Sequence, residues 1–169
     1  ENKLSKATIC YVYDPMCSWC WGYRATWLQL ENAIENKLHS SADIKYAVGG
    51  LAPDSDLPMA EDMQQFLKTT WQKIATTLGA SFNFDFWDNC QPRRSTYPAC
   101  RAVLAARTFG LEKEMLYQIQ QCYYLQSRNP SNDDVLIAAS IEIGIEKSAF
   151  EDKFYSEDIV RLLAKEIET

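Results

Sequence analysis

The first periodic stretch of the chain, "ATICYVY" from Ala7 to Tyr13, is β-branched and aromatic with almost no polar interruption. That pattern predicts a strand covered on both faces, as in an α/β sheet. After "DPMC" the period changes from two to that of a helix. Trp27, Leu30, Ile34 and Leu38 fall on one stripe, with Glu31, Glu35 and Lys37 elsewhere, so an amphipathic helix follows the strand directly. His39, near its end, would be favoured by the helix dipole. "DIKYAV", Asp43 to Val48, then sets Ile44, Tyr46 and Val48 against Lys45 and Ala47, a second strand ending at Gly49-Gly50. Strand, helix, strand implies a right-handed crossover with the two strands parallel.

The remainder reads as helical. Between Met59 and Leu78 the apolar positions Met63, Phe66, Leu67, Trp71, Ile74 and Leu78 keep helical spacing, and Gly79 can end the helix in the left-handed region. "SFNFDFWDNCQPRR" is aromatic but turn-rich, which predicts a connection with a short extended piece. Ser95 or Thr96 can cap the next helix, Pro98 fits its first turn, and Gly110 ends it. Further helices are expected from about Glu112 to Leu125 and from Asp133 to Ile143, the second ending at Gly144. Ser148 with Glu151 has capping-box spacing before Phe150 and Phe154. A last helix carries Ile159, Leu162, Leu163 and Ile167. Two strands alone make a poor platform, since three or more are usually needed for independent stability.

Composition narrows the function classes. At 169 residues the chain can bury a real core, and its 47% hydrophobic and 24% charged content is that of a globular protein. A net charge of -6 without a basic stripe argues against a nucleic-acid partner. The apolar runs fall short of the roughly 20 residues that a membrane helix needs, so no membrane partner is expected. "ENKLSKATIC" has no apolar h-region. The expected compartment is the cytoplasm, or the periplasm if a leader was removed.

Six cysteines, Cys10, Cys17, Cys20, Cys90, Cys100 and Cys122, are too sparse for a disulfide scaffold. Cys10, Cys100 and Cys122 lie within strand-like or helix-like patterns, where a free thiol acts as a small hydrophobe. Cys17 and Cys20 differ, because "YDPMCSWCWG" places them where a strand gives way to a helix. The spacing allows a redox couple, half of a metal site or two structural thiols. A zinc site needs two more ligands, yet Cys90 and Cys100 are not a close pair and His39 is the single histidine. The lone histidine also argues against a Ser-His-Asp or Cys-His hydrolase. At a helix N-terminus, by contrast, Cys17 would face unsatisfied N–H groups and the positive end of the dipole, which lowers a thiol pKa. Cys17 is then the nucleophile and Cys20, one turn on, the resolving thiol. Ser18 and Trp19 would tune the couple, and Asp14-Pro15 would hold an extended approach to the helix. Trp19, Trp21 and Tyr23 would form either an apolar lip for substrate or a cover for the helix start. Gly22, unfavourable in a helix by about 1 kcal/mol, marks close packing or the approach of a ligand. "VGGLAP" has neither the P-loop lysine nor dinucleotide-type glycine spacing, and no carboxylate pair stands out as an acid/base dyad.

With strand, "DPMCSWCWG", long helix, second strand and helical insertion in that order, and with "STYPACRAVLAAR" and "SEDIVRLLAKEIE" following, the whole chain resembles the DsbA-like branch of thioredoxin-fold proteins. It resembles in particular the disulfide-isomerase members of that branch. The resemblance implies an α/β, thioredoxin-like fold with a large helical insertion. It divides the chain into an N-terminal βαβ part at 1–58, an insertion at 59–155 and a helix at 156–169 leading back towards the thioredoxin-like domain. It also implies a dithiol–disulfide oxidoreductase or isomerase using Cys17 and Cys20. Expected partners are proteins carrying thiols or disulfides and, as a redox partner, glutathione; no cofactor or metal is expected. The kappa-class glutathione transferase and hydroxychromene carboxylate isomerase group is similar in architecture, but it tends to carry serine where this chain has Cys17. Two alternatives therefore remain: a glutathione-dependent transferase or isomerase, and a non-catalytic thiol module that binds a metal or a partner. In the family a hairpin of two strands, a closing helix and a cis-proline facing the cysteines follow the insertion. The sequence stops at Thr169, before that part, so those C-terminal strands are expected to be missing from this chain, and Pro98 is a poor substitute for the cis-proline.

Overall fold

In the computed structural model, which describes residues 6–37 and 42–169, the chain runs β1 (Ala7–Tyr13), α1 (Ser18–Lys37), β2 (Ala42–Val48), α2 (Glu61–Leu78), α3 (Phe86–Asn89), α4 (Tyr97–Arg107), α5 (Glu112–Tyr124), α6 (Asp133–Glu142), α7 (Lys147–Phe154) and α8 (Glu157–Glu168). β1 and β2 pair in parallel, from Ala7 opposite Ala42 to Tyr13 opposite Val48, as the strand–helix–strand pattern predicts. Among the described residues these are the two strands of the sheet. Leu38 and His39 lie outside the described residues.

One face of the sheet is packed and the other open. Tyr11 stacks on Trp27 of α1 with ring centroids 3.9 Å apart, and Tyr13 and Val48 join the main core. Thr8, Cys10 and Val12 point the opposite way and are exposed, Val12 at 57%. This corrects the expectation of a strand covered on both faces and of Cys10 as a core thiol. Successive side chains of a strand alternate between faces, and among the described residues the helices cover only the tyrosine face. The stripe on α1 also differs from the expected one. Trp27, Glu31 and Ile34 are buried, while Leu30 is 43% exposed. Glu31 tolerates burial because Lys113 of α5 pairs with it.

The main core is built around α4, whose residues from Ala99 to Ala106 are buried except Arg101. Its small alanines let α5, α6, α7 and α8 pack closely around it. A second cluster surrounds Trp71 of α2, with Phe86, Trp87, Tyr123 and Tyr124 against it. Each such buried aromatic contributes roughly 1.5–3 kcal/mol by leaving water. That cluster explains α3: the aromatic stretch expected as a loose connection folds into a short helix that delivers Phe86 and Trp87 to Trp71. The extended piece expected there is reduced to one antiparallel bridge between Pro58 and Arg93. Phe66 and Leu78, expected on the buried stripe of α2, are 63% and 47% exposed.

Gly79, at φ 71°, closes α2 as expected. Two caps differ from expectation. Thr96 stands at the N-cap of α4 but makes no side-chain cap bond, because its hydroxyl is turned to Asp14. Glu146, rather than Ser148, caps α7 by accepting from the backbone N–H groups of Ser148 and Ala149. Gly50 is required by geometry: its φ is 62°, and a Cβ there would stand 2.6 Å from Ile167 Cδ1 of α8.

Candidate active site

The turn that carries Cys17 is fixed by its own backbone and by one carboxylate. At the end of β1 the Cys17 N–H donates to the Asp14 carbonyl at 3.0 Å, while Asp14 Oδ1 accepts the Met16 N–H at 2.8 Å. Proline at position 15 suits the second place of such a turn. The Cys17 carbonyl then accepts the Trp21 N–H at 3.2 Å, which makes Cys17 the N-cap of α1. Its Sγ takes the role that an oxygen plays in ordinary caps, receiving the Cys20 N–H at 3.4 Å.

This placement separates the two thiols chemically. A hydrogen bond from the Cys20 thiol, together with the Cys20 and Trp19 N–H groups, brings Cys17 down to about 7. Burial and the Asp14 charge oppose that shift. Cys20 is pushed far above the ordinary thiol range, because its proton is the one shared with the Cys17 sulfur and its own surroundings are dry. Above about pH 7 the pair therefore holds one thiolate, on Cys17, and one proton, on Cys20.

The two sulfurs also face different spaces. Cys17 lines an apolar groove of about 320 Å³ with Met16, Trp19, Leu51, Met59 and Phe66. Cys20 lines a separate, small cavity of about 60 Å³ beside Tyr11, Trp27 and Tyr117. Burial raises the Tyr11 hydroxyl, so that phenol stays protonated.

Of the other residues expected here, Asp14 is buried, and its Oδ2 accepts from the Leu51 N–H at 2.8 Å and the Thr96 hydroxyl at 2.7 Å. Burial raises its carboxyl above the usual range, and those hydrogen bonds hold it back. Ser18 does not bond the Cys17 sulfur: its hydroxyl, buried, accepts the Trp71 indole N–H at 2.9 Å. Trp21 covers the helix start, stacked on Tyr124 at 5.5 Å and donating to the Ser81 carbonyl at 2.9 Å. Trp19 and Tyr23 are 44% and 40% exposed, so the lip and the cover are divided among the three aromatics. Gly22 is a packing glycine, since a Cβ there would lie 2.5 Å from Ile74 Cγ2 of α2. Leu51, Met59, Phe66 and Thr96 were missed as site residues, because they come together with Cys17 only in three dimensions. Among the described residues no group of three or more His, Cys, Asp or Glu side chains is placed to hold a metal, and no helix is long and apolar enough to cross a membrane.

A two-stranded parallel sheet, a cysteine pair at the start of α1 and a helical insertion define a thioredoxin-type fold of the DsbA kind, and the comparisons agree. The chain has the fold of DsbA-like thioredoxin-fold proteins. It is similar in structure to a candidate protein disulfide isomerase from Nitrosomonas europaea, with a TM-score of 0.81 and 24% identity over 97% of this chain and 78% of that one. It is also similar to the cytosolic disulfide reductase DsbM from Pseudomonas aeruginosa, solved with glutathione, with a TM-score of 0.73 and 27% identity over 95% of this chain and 78% of that one. No family model matches the sequence. Among curated proteins it is similar to the ClpXP adapter protein SpxH of Halalkalibacterium halodurans, 22% identical over 176 residues. The match takes in all of this chain and 56% of that relative, so the chain spans just over half the relative's length.

Proposed function

We propose that the chain is a thiol–disulfide oxidoreductase or disulfide isomerase in which Cys17 attacks and Cys20 resolves. The observation that carries this reading is the 3.4 Å contact of the Cys20 N–H with Cys17 Sγ at the head of α1, which leaves a thiolate facing an apolar groove. The Cys17 thiolate attacks one sulfur of a substrate disulfide. A mixed disulfide forms, and the substrate's other sulfur leaves as a thiolate. Cys20 then gives up its proton and attacks Cys17 Sγ. The second substrate thiol departs, a Cys17–Cys20 disulfide remains, and two electrons have passed to the substrate. The reverse sequence oxidises a dithiol, and attack by a different substrate thiolate on the substrate sulfur of the mixed disulfide forms a new substrate disulfide and releases the Cys17 thiolate, which is isomerisation.

The disulfide reductase DsbM, solved with glutathione, supports glutathione as a redox partner here. A second reading, binding of a partner protein at the same groove without turnover, is favoured by the adapter relative and by the exposure of Phe66 and Leu51 at the groove. A glutathione redox titration with acid quenching, alkylation and peptide mass spectrometry separates the two. A reversible joint transition of Cys17 and Cys20 is the expected result. Thiols that never pair at any potential would overturn the oxidoreductase reading and leave partner binding.

A further inference from the structure

The charge of the groove is opposite to that of the protein. The chain carries a net charge of -6, yet the groove that holds Cys17 is lined by Arg93 and Arg94 and by no carboxylate among the described residues. Neither guanidinium has an Asp or Glu oxygen within 4.0 Å among the described residues. Arg93 donates to the Ser131 carbonyl and keeps a buried Nε without a partner. Arg94 is exposed, and its guanidinium donates to Met63 Sδ at 3.5 Å. The backbone holds both in place: Arg93 bridges Pro58, and the neighbouring Met59 N–H donates to the Pro92 carbonyl at 2.8 Å. Unpaired cations beside an apolar wall form a site for a group that is itself anionic, since an arginine fork matches a carboxylate.

We propose that Arg94, with Arg93 beside it, selects disulfides that carry a carboxylate close to the sulfur. This inference rests on Cys17 as the attacking thiol and adds the choice of substrate. When the Cys17 thiolate attacks such a disulfide, the carboxylate lies against the guanidinium and the distal sulfur leaves as a thiolate. Electrons and atoms balance as in any exchange, with Cys20 supplying the second attack. Two sources share this chemistry: small disulfides of the glutathione type, and peptide disulfides flanked by Glu or Asp.

The test is stopped-flow reaction of the reduced full chain with glutathione disulfide and with neutral 2-hydroxyethyl disulfide. A pair of peptide disulfides that differ only by Glu or Gln beside the cysteine is run in parallel. The wild type should prefer the anionic member, and the preference should shrink with added salt. Arg94→Ala should lower the ratio of anionic to neutral rates by about fivefold, as expected for a partly exposed ion pair, and Arg94→Glu should lower it further. Because Arg94 is exposed, these variants fold, and Arg93→Lys provides a second, milder probe of the ratio. A drop seen only with glutathione disulfide, or only with the Glu peptide, supports the inference and names the source. A ratio that is the same in wild type and variants overturns the selectivity while leaving the oxidoreductase reading intact. A Cys17 that reacts with none of the four disulfides overturns both.

Discussion

The Thr96 hydroxyl donates to Asp14 Oδ2 at 2.7 Å across 82 residues of sequence, and the same hydroxyl accepts the Ala52 N–H at 3.1 Å. One side chain at the start of α4 thereby joins the cysteine-bearing turn to the loop after β2. The Cys17 groove is the space between the segments so joined.

Thr96→Val keeps the shape and removes the hydroxyl, leaving the Ala52 N–H and one site on the Asp14 carboxylate unsatisfied. Stability should fall by about 1–3 kcal/mol, the penalty for orphaned buried polar groups. Thermal or urea denaturation measures it, and an unchanged midpoint would show that the latch contributes nothing.

Asp14→Asn removes the negative charge that opposes thiolate formation at Cys17. The Cys17 midpoint should move to lower pH, read from the pH dependence of iodoacetamide alkylation. The variant should also be less stable, because an amide nitrogen cannot accept the hydrogen bonds that Oδ2 receives. A Cys17 midpoint that rises would contradict the electrostatic role given to this carboxylate.

In the wild type, alkylation of Cys17 should titrate with a midpoint of about 7, while Cys20 stays unreactive through neutral pH. The effect on stability has a definite sign. A thiol whose folded pKa lies below its unfolded value of about 8.5 stabilises the fold fully above that value and loses the contribution as pH falls through about 7. The reduced protein should therefore grow more stable from pH 7 to about 8.5. Above that range the raised Cys20 acts in the opposite direction. Cys17→Ala should flatten the slope, and a variant with the wild-type slope would refute the account.

Gly22→Ala should destabilise despite the better helix propensity of alanine. Its Cβ would meet Ile74 Cγ2 at 2.5 Å and Leu78 Cδ1 at 3.1 Å, forcing α1 and α2 apart at a cost of about 1–3 kcal/mol. Ile74→Leu has no methyl branch at that place, so the same glycine change should cost less in that background. Equal costs in both backgrounds would place the strain elsewhere.

What the sequence made legible follows from where each signal lies. The strand–helix–strand order, the two cysteines at the head of α1 and the glycine end of α2 are local patterns, and each appears where expected. The latch was not legible, because Asp14, Leu51 and Thr96 meet only in three dimensions and nothing nearby distinguishes Thr96 from an ordinary N-cap. Leu30 and Phe66 were misplaced for a related reason. Periodicity finds an apolar stripe but not which edge of it a neighbour covers, and a lysine on α5 made Glu31 the buried residue instead. The open side of β1 could not be read either, since a run such as "ATICYVY" is equally apolar on both faces.

The latch also bears on how the site comes into being. Cys17 and Cys20 leave the ribosome well before the residue that clamps their turn, which follows 82 positions after Asp14. At roughly 5–20 residues per second, that leaves the two thiols for several seconds without the groove that Cys17 lines in the folded chain. During that interval they belong to an unfolded chain and have the reactivity of ordinary cysteines. The difference between the two thiols thus arises only after Thr96 has been made, and a nascent chain stalled before Thr96 should display two thiols with no preference between them.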